Sequence, residues 1–338
     1  MGDSMPKDEF EWIQQHTPAH SHQKRLEEGI GDDAAVYKAS SFFDEVVCVD
    51  TMIEGIHFTK ETMAPYDIGY KALAANISDL AAMGAEPSFY IVSIAIPPHW
   101  EDDELSGLYE GMAELGDRFE MDLIGGDTVS SAHELMMSIT VIGRVETGRR
   151  LLRRNAEPGD VIFLTGPVGR SASGLKLLLE KGRHASFSSI EQTLLSYHQR
   201  PEPQVKTGRL AASLSARIAL NDISDGLASE SFEIAEASGV QMHLEQELVP
   251  VPDEFAGYDP AEYWEWMLYG GEDFELLGTV EAGSWEKFQR LSEAAGINVT
   301  NIGRVEAGTA GVWLHNQGDT EALEKKGYNH FSGKEGQG

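Results

Sequence analysis

The chain has 338 residues, of which 56 are acidic and 26 basic, and its formal net charge is −30. At roughly 150 residues per domain, this length calls for about two domains, and it is enough to bury substantial cores without covalent staples. The charge repels polyanions at long range and argues against nucleic-acid and anionic-membrane partners, while a lone cysteine, Cys48, excludes a disulfide framework and Cys-cluster zinc sites.

The opening residues, MGDSMPKDEFEWIQQ, lack the basic and apolar regions of a signal peptide. No apolar run reaches the ~18 residues that span a bilayer, so the expected location is the cytoplasm. Glu45–Asp50 then reads as a β-branched strand ending in an acid. Asp67–Met83 places Ile68, Leu73, Ile77 and Leu80 at helical spacing and stops at Gly84, which suits a C-cap. Ser88–Ile96 reads as a strand stopped by Pro97-Pro98, and Glu101–Phe119 as an amphipathic helix with Leu105, Leu108, Met112 and Leu115 on one face. Asp122–Gly125 is a short strand running into Gly126-Asp127, and Leu135–Val145 a longer one.

Thr147–Gly159 is the most basic short stretch and ends in a Pro-Gly turn, a natural boundary. It divides the chain into residues 1–148 and 149–338. The second part predicts a strand over 160–166, a helix over 171–181 and a helical region near 189–213. A strand over 217–221, a helix over 226–238 and a strand over 240–244 follow. A helix over 261–269, a strand over 273–280, a helix over 284–296 and strands near 298–305 and 311–315 complete it. Two α/β halves are the expected architecture.

Two glycine patterns approach nucleotide-binding motifs and fall short. Gly29-Ile30-Gly31-Asp32-Asp33-Ala34 fits G-x-G-x-x-A, but it follows a charged segment and places two carboxylates where a pyrophosphate would approach. Gly169 to Lys176 follows a strand and opens a helix like a P-loop, but Leu175 stands where the lysine belongs. It reads as a glycine-rich turn whose helix end is still able to meet an anion.

The acids carry the stronger signal. Asp32-Asp33, Asp50-Thr51, Asp127-Thr128, Asp222-Ile-Ser-Asp225-Gly226 and Gly270-Gly271-Glu272-Asp273 lie in small-residue settings beside apolar strands, and Asp79 lies within the helical NISDLAAMGA. Turn or N-cap chemistry accounts for any one of them. Together, on one edge of a sheet, they would repel unless cations lay between them. Hard oxygen donors without thiolates indicate Mg²⁺ or Mn²⁺, the ions that phosphoryl transfer from a nucleotide triphosphate requires.

The blocks GDDAAV (31–36), DTMIEGIHF (50–58), KALAANISDLAAMGAEP (71–87), IGGDT (124–128), DISDGL (222–227), GGEDFEL (270–276) and KGYNHF (326–331) resemble the thiamine-monophosphate kinase family. That family shares a superfamily with AIR synthase, selenophosphate synthetase and the hydrogenase-maturation protein HypE. The resemblance implies a two-domain α/β (α+β) fold, with an N-terminal domain that pairs through a shared β-barrel in a homodimer and a C-terminal α/β domain. It also implies Mg²⁺-dependent transfer of the ATP γ-phosphate to thiamine monophosphate. It marks Asp33, Asp50, Asp79, Asp127, Asp222 and Asp225 as metal ligands. Tyr109, Gly126, Asp127, Arg153 and Ser224 are marked as ATP contacts, and His57, Glu272 and Tyr328 as contacts to the acceptor. No side chain is expected to act as a chemical catalyst, because a phosphate monoester is mostly dianionic near neutral pH and needs no strong base.

One departure is Cys48-Val49, where family members often carry a Ser or Thr pair; a backbone carbonyl from Val49 would serve a metal, whereas Cys48 replaces a hydroxyl poorly. His16, His20 and His22 read as a polar, solvated segment. The basic run Arg149, Arg150, Arg153 and Arg154 reads as linker and local phosphate steering. Two other readings stay open on the residues: another ATP-dependent enzyme of the superfamily, and a non-catalytic acidic scaffold that binds metal or nucleotide.

Overall fold

The structure is a computed structural model that describes residues 17–18, 20–28 and 36–326. The described residues up to Arg150, with Leu177–Phe187 and Gln199–Ala212, form one compact unit. Leu151–Lys176, Ser188–His198 and the described residues from Ser213 onward form the other.

The first unit pairs two short strands, β1 (Leu26–Glu28) and β2 (Val36–Tyr37), beside a four-stranded sheet. That sheet contains β3 (Phe43–Ile53), β4 (Glu86–Ile96), β5 (Asp122–Ser130) and β6 (Met136–Glu146), in the order β3-β6-β4-β5. Only the β4–β5 pair is parallel; the other two pairs are antiparallel. Helix α1 (Pro65–Ala82) begins with proline at its first position, where no intrahelical N–H is needed, and α2 (Asp102–Arg118) begins with a capping box between Glu101 and Glu104. The predicted strands at 45–50 and 122–125 both prove longer: β-branched residues continue the first to Ile53, and parallel pairing with β4 carries the second to Ser130.

Helices α1 and α2 cross at glycines. A Cβ on Gly69 would lie 1.9 Å from the Leu108 carbonyl oxygen, and one on Gly111 would lie 2.0 Å from that of Tyr66. Backbone meets backbone there, which no larger residue permits.

The chain continues through β7 (Val161–Leu164), α3 (Arg170–Lys181), α4 (Ser189–Gln199) and α5 (Val205–Ser213). The single helical region predicted over 189–213 is broken in two because Pro201 and Pro203 cannot donate to a helix ladder. Then come β8 (Ile218–Asp222), α6 (Leu227–Ser238), β9 (Gln241–Glu245), α7 (Pro260–Tyr269) and β10 (Leu276–Val280), followed by α8 (Trp285–Ala294), β11 (Thr300–Glu306), β12 (Gly311–Asn316) and β13 (Asp319–Ala322). The second unit's sheet has the order β13-β12-β9-β11-β7-β10-β8, and its strands pair antiparallel except for β9 with β12. Strands β7, β10 and β8, at one end of this order, are almost wholly buried, as expected where a sheet is covered on both faces. Among the described residues no helix is long and apolar enough to cross a membrane.

Substituting Gly69→Ala forces the α1–α2 backbones apart, and we expect a loss of about 1–3 kcal/mol in urea unfolding. An unchanged midpoint would contradict the close crossing.

Candidate active site

In the first unit Asp50 is an interior residue of β3, not the strand end its setting implied. Its N–H donates to Asn76 Oδ1 on α1 (3.0 Å), and Cys48, two residues back on the same face, donates its S–H to Asn76 O (3.4 Å). Asn76 in turn donates to Ala72 O, so one amide clips strand to helix. Cys48 is spent on this packing. Asp79 follows Asn76 by one turn on the same side of α1 and is half-buried.

Desolvation by its surroundings raises the Asp50 carboxyl above the usual carboxylate range, with His57 near enough to oppose part of the rise. His57 is locked in the turn after β3: its Nδ1 accepts the Ile53 N–H at 3.0 Å. A ring nitrogen that accepts carries no hydrogen, so the ring proton resides on Nε2.

Asp127 lies on the other face of the sheet. The registers align Thr51, Ser138, Ser93 and Asp127 in one row, and Thr51 Oγ1 donates to Ser138 Oγ at 2.9 Å. Residues of a row share a face and successive residues alternate, which puts Asp127 opposite to Asp50. The expectation that strand-end acids gather on one sheet edge is therefore corrected here: both acids ride in mid-strand, on opposite faces. Gly126, beside Asp127, lets β5 approach β4, since a Cβ there would lie 2.2 Å from Val92 O.

Tyr109, on α2, lines a cavity of about 490 Å³ together with Tyr90, Met121, Leu123, His20 and His22. Burial pushes its phenol well above the usual range. The segment before β1 closes one wall: buried Asp122 accepts from Ser21 Oγ (2.7 Å) and from the N–H groups of His22 (2.5 Å) and Gln23 (2.8 Å). His22 Nε2 also meets Asp117 Oδ1 at 3.0 Å. His20 and His22 thus line this cavity, with His20 exposed as expected of a solvated segment and His22 half-buried.

In the second unit two of the motifs are neighbours because β8 and β10 are. Their antiparallel register pairs Asp222 with Leu276. The ladder continues past both strand ends through Ile223 N to Glu275 O (2.8 Å), Phe274 N to Ile223 O (2.9 Å) and Glu272 N to Ser224 O (2.8 Å). Glu272 (φ 66) and Phe274 (φ 51) take left-handed backbone, so the strand predicted from residue 273 begins at Leu276 instead.

The hub of this half is Glu230, on the first turn of α6 and 3% exposed. Its carboxylate accepts from Ser224 Oγ (3.2 Å), the Asp225 N–H (3.1 Å) and Asn221 Nδ2. Asn221 Oδ1 accepts from Arg153 Nε at 2.8 Å, and Arg153 Nη1 reaches Glu233 at 3.2 Å. Arg153, Ser224 and Asp225 are thereby tied into one network through two residues that sequence reasoning passed over. The signal for Glu230 was an acid one helical turn into the apolar start of α6. Gly226, at φ 100, holds the N-cap position that Asp225 was able to claim on sequence grounds.

Burial and the charges of Asp222 and Asp225 push Glu230 up to about 8. Carboxylates forced to share a site in this way, all oxygen donors with no thiolate among them, fit a hard divalent cation. Among the described residues no three His, Cys, Asp or Glu side chains stand at ligand spacing around one point. Asp33 and Tyr328, with the Gly29–Ala34 pattern, the GDDAAV block up to residue 35 and the KGYNHF block from residue 327, lie outside the described residues. The helix end at Gly169 is not open to an anion: Asp273 accepts from Gly169 N (2.6 Å) and Ser171 N (3.0 Å).

Raised carboxyls bind protons more tightly in the folded than in the unfolded chain. Their stabilising effect is therefore complete below the unfolded values of 4.5 for Glu230 and 3.8 for Asp273, and is lost as pH rises through about 8 and about 7. We expect the metal-free protein to lose stability between pH 5 and 8, and Glu230→Gln to flatten the upper part of that decline in urea titrations. Parallel declines in the two proteins would show that Glu230 is not the group responsible.

Residues 31–145 match the family profile described as AIR synthase related protein, N-terminal domain, and residues 157–314 match its C-terminal domain. The thiamine-monophosphate kinase of Bacillus subtilis (strain 168) is 48% identical over 325 residues, covering 96% of this chain and 99% of that one. Among solved structures, the thiamine-monophosphate kinase of Stenotrophomonas maltophilia K279a superposes with TM-score 0.80 at 32% identity, over 88% of this chain and 92% of that chain. AaThiL complexed with AMPPCP and TMP superposes with TM-score 0.75 at 30% identity, over 89% and 92%. The two-domain AIR synthase-like fold is thus established, and the chain belongs to the thiamine-monophosphate kinase family of AIR synthase-related proteins.

Proposed function

We infer that this chain is an ATP-dependent phosphotransferase that converts thiamine monophosphate to thiamine diphosphate in the cytoplasm. The observation that carries the reading is the 48% identity to the Bacillus subtilis enzyme over nearly the full length of both chains. A phosphate oxygen of thiamine monophosphate attacks the γ-phosphorus of ATP in line. One P–O bond forms to that oxygen as the bond to the β,γ-bridging oxygen breaks, and ADP leaves with the electron pair.

The acceptor is already anionic, so the work of the chain is to position two mutually repelling groups. Glu272, Tyr328 and His57 bind the acceptor: the carboxylate and the aromatic ring answer the positive thiazolium, and His57 presents its Nε2–H. Tyr109, Gly126, Asp127, Ser224 and Arg153 bind ATP, with the Arg153 guanidinium, oriented by Asn221, pairing with phosphate oxygens. Asp33, Asp50, Asp79, Asp127, Asp222 and Asp225 hold magnesium. When bound, several such ions would supply the charge neutralisation that two approaching phosphates need. In this reading residues 1–148 contribute the dimerisation surface and Asp33, Asp50, Asp79, Asp127, Tyr109 and Gly126, and the α/β companion domain of residues 149–338 contributes Arg153, Asp222, Ser224 and Asp225.

The same reading includes a homodimer formed by a second copy on the open face of the four-stranded sheet. Support comes from Val47 and Val49 on edge strand β3 and Val129 on edge strand β5, which are 60%, 57% and 50% exposed. Long apolar edge strands of this kind are costly to leave in water.

Two experiments test these statements. ADP release should require both thiamine monophosphate and a divalent cation and stop on chelation, and Asp50→Asn or Asp127→Asn should each lower kcat by at least about 100-fold. Near-normal turnover in either variant removes that residue from the metal set. In sedimentation velocity the wild type should run as a dimer and Val49→Lys as a monomer; a variant that stays dimeric places the interface elsewhere.

A further inference from the structure

His198 belongs to no motif in the sequence, and it is 1% exposed near the end of α4. Its Nδ1 stands 3.2 Å from Ser171 Oγ and 3.6 Å from Glu272 Oε2. Ser171 is fully buried and is itself anchored, because its N–H donates to Asp273 Oδ1. Glu272 differs from both: its side chain is 29% exposed and reaches solvent from a loop whose backbone is held in left-handed conformation at Glu272 and Phe274. Such backbone persists in residues other than glycine only where the surroundings impose it, and it clusters at functional sites. The Ser171–His198 hydrogen bond alone would satisfy two buried polar groups. It does not explain why the same imidazole nitrogen also faces the one carboxylate of this loop that points outward.

We propose that His198, braced by Ser171, is a positioning residue that fixes the Glu272 carboxylate for recognition of the cationic ring of the acceptor. The proposal rests on Glu272 contacting that acceptor. A glutamate has three side-chain torsions, and an unbraced one surrenders part of its interaction with a bound cation to the entropy of being held. A rigid imidazole rooted in the core removes that loss before the substrate arrives.

Steady-state kinetics on the full-length enzyme test this with four variants: Glu272→Gln, His198→Leu, His198→Asn and the double variant Glu272→Gln/His198→Leu. Glu272→Gln should raise the KM for thiamine monophosphate. His198→Leu should raise the same KM by about 3- to 10-fold while leaving the KM for ATP unchanged. His198→Asn retains a polar atom near the Nδ1 position and should recover most of the loss. In the double variant the leucine should add nothing further, because its effect passes through a carboxylate already removed. Thermal melts show whether each variant folds, and the asparagine variant keeps the test decisive if the leucine variant does not. If Glu272→Gln leaves the KM for thiamine monophosphate unchanged, the acceptor role of Glu272 fails and the proposal with it. If Glu272→Gln raises that KM but the histidine variants do not, or if the effects of His198 and Glu272 multiply independently, the proposal alone is overturned.

Discussion

The antiparallel pairing of β8 with β10 is the constraint on which the second unit's chemistry depends. It does not stop where the strands stop. Three further backbone hydrogen bonds join residues 223–224 to residues 272–275, so two loops that are some fifty residues apart in sequence behave as one rigid platform. A slip of one residue in that register would turn every side chain to the other face. Ser224 and Glu272 would then separate, and the left-handed backbone at Glu272 would lose the bond to Ser224 that holds it.

Electrostatics sets the second limit. A chain of net charge −30 is poorly suited to bind two phosphates, and in the first unit its candidate ligands take both faces of one sheet. Asp50 and Asp79 belong to the helix-covered side of the first unit's sheet, Asp127 to its open side, and Asp222 and Asp225 to the second unit. Glu230 shows what crowding does: flanked by two aspartates and buried, it holds its proton up to about pH 8. A protonated Glu230 organises Asn221, Ser224 and Asp225 without adding a full charge to the site.

Much of this was legible beforehand, for reasons that differ by residue. Helical spacing over 67–83 marks α1, although the helix is buried on nearly all sides, and the Pro-Pro stop after Ile96 ends β4 because proline cannot donate to a ladder. The motif blocks point to the family because all but the last join an acid to glycine or small residues, with close backbone approaches at Gly126 and Gly271. Asn76, Asn221, Glu230 and His198 were not legible. Nothing in the residues around them signals that an amide will clip strand to helix, or that a buried imidazole will face a loop more than seventy positions away.

Residue order by itself therefore marked most of the elements and a break near residue 150, since these depend on local periodicity and turn chemistry, although Leu177–Phe187 and Gln199–Ala212 belong to the first unit. It also implied that strand-end acids gather on one sheet edge, and for Asp50 and Asp127 tertiary structure decided otherwise. Which face of a sheet a side chain takes depends on where a strand begins and with what register it pairs. Those are settled by contacts distant in sequence, and so only the folded chain could put Asp50 against α1 and Asp127 on the opposite face.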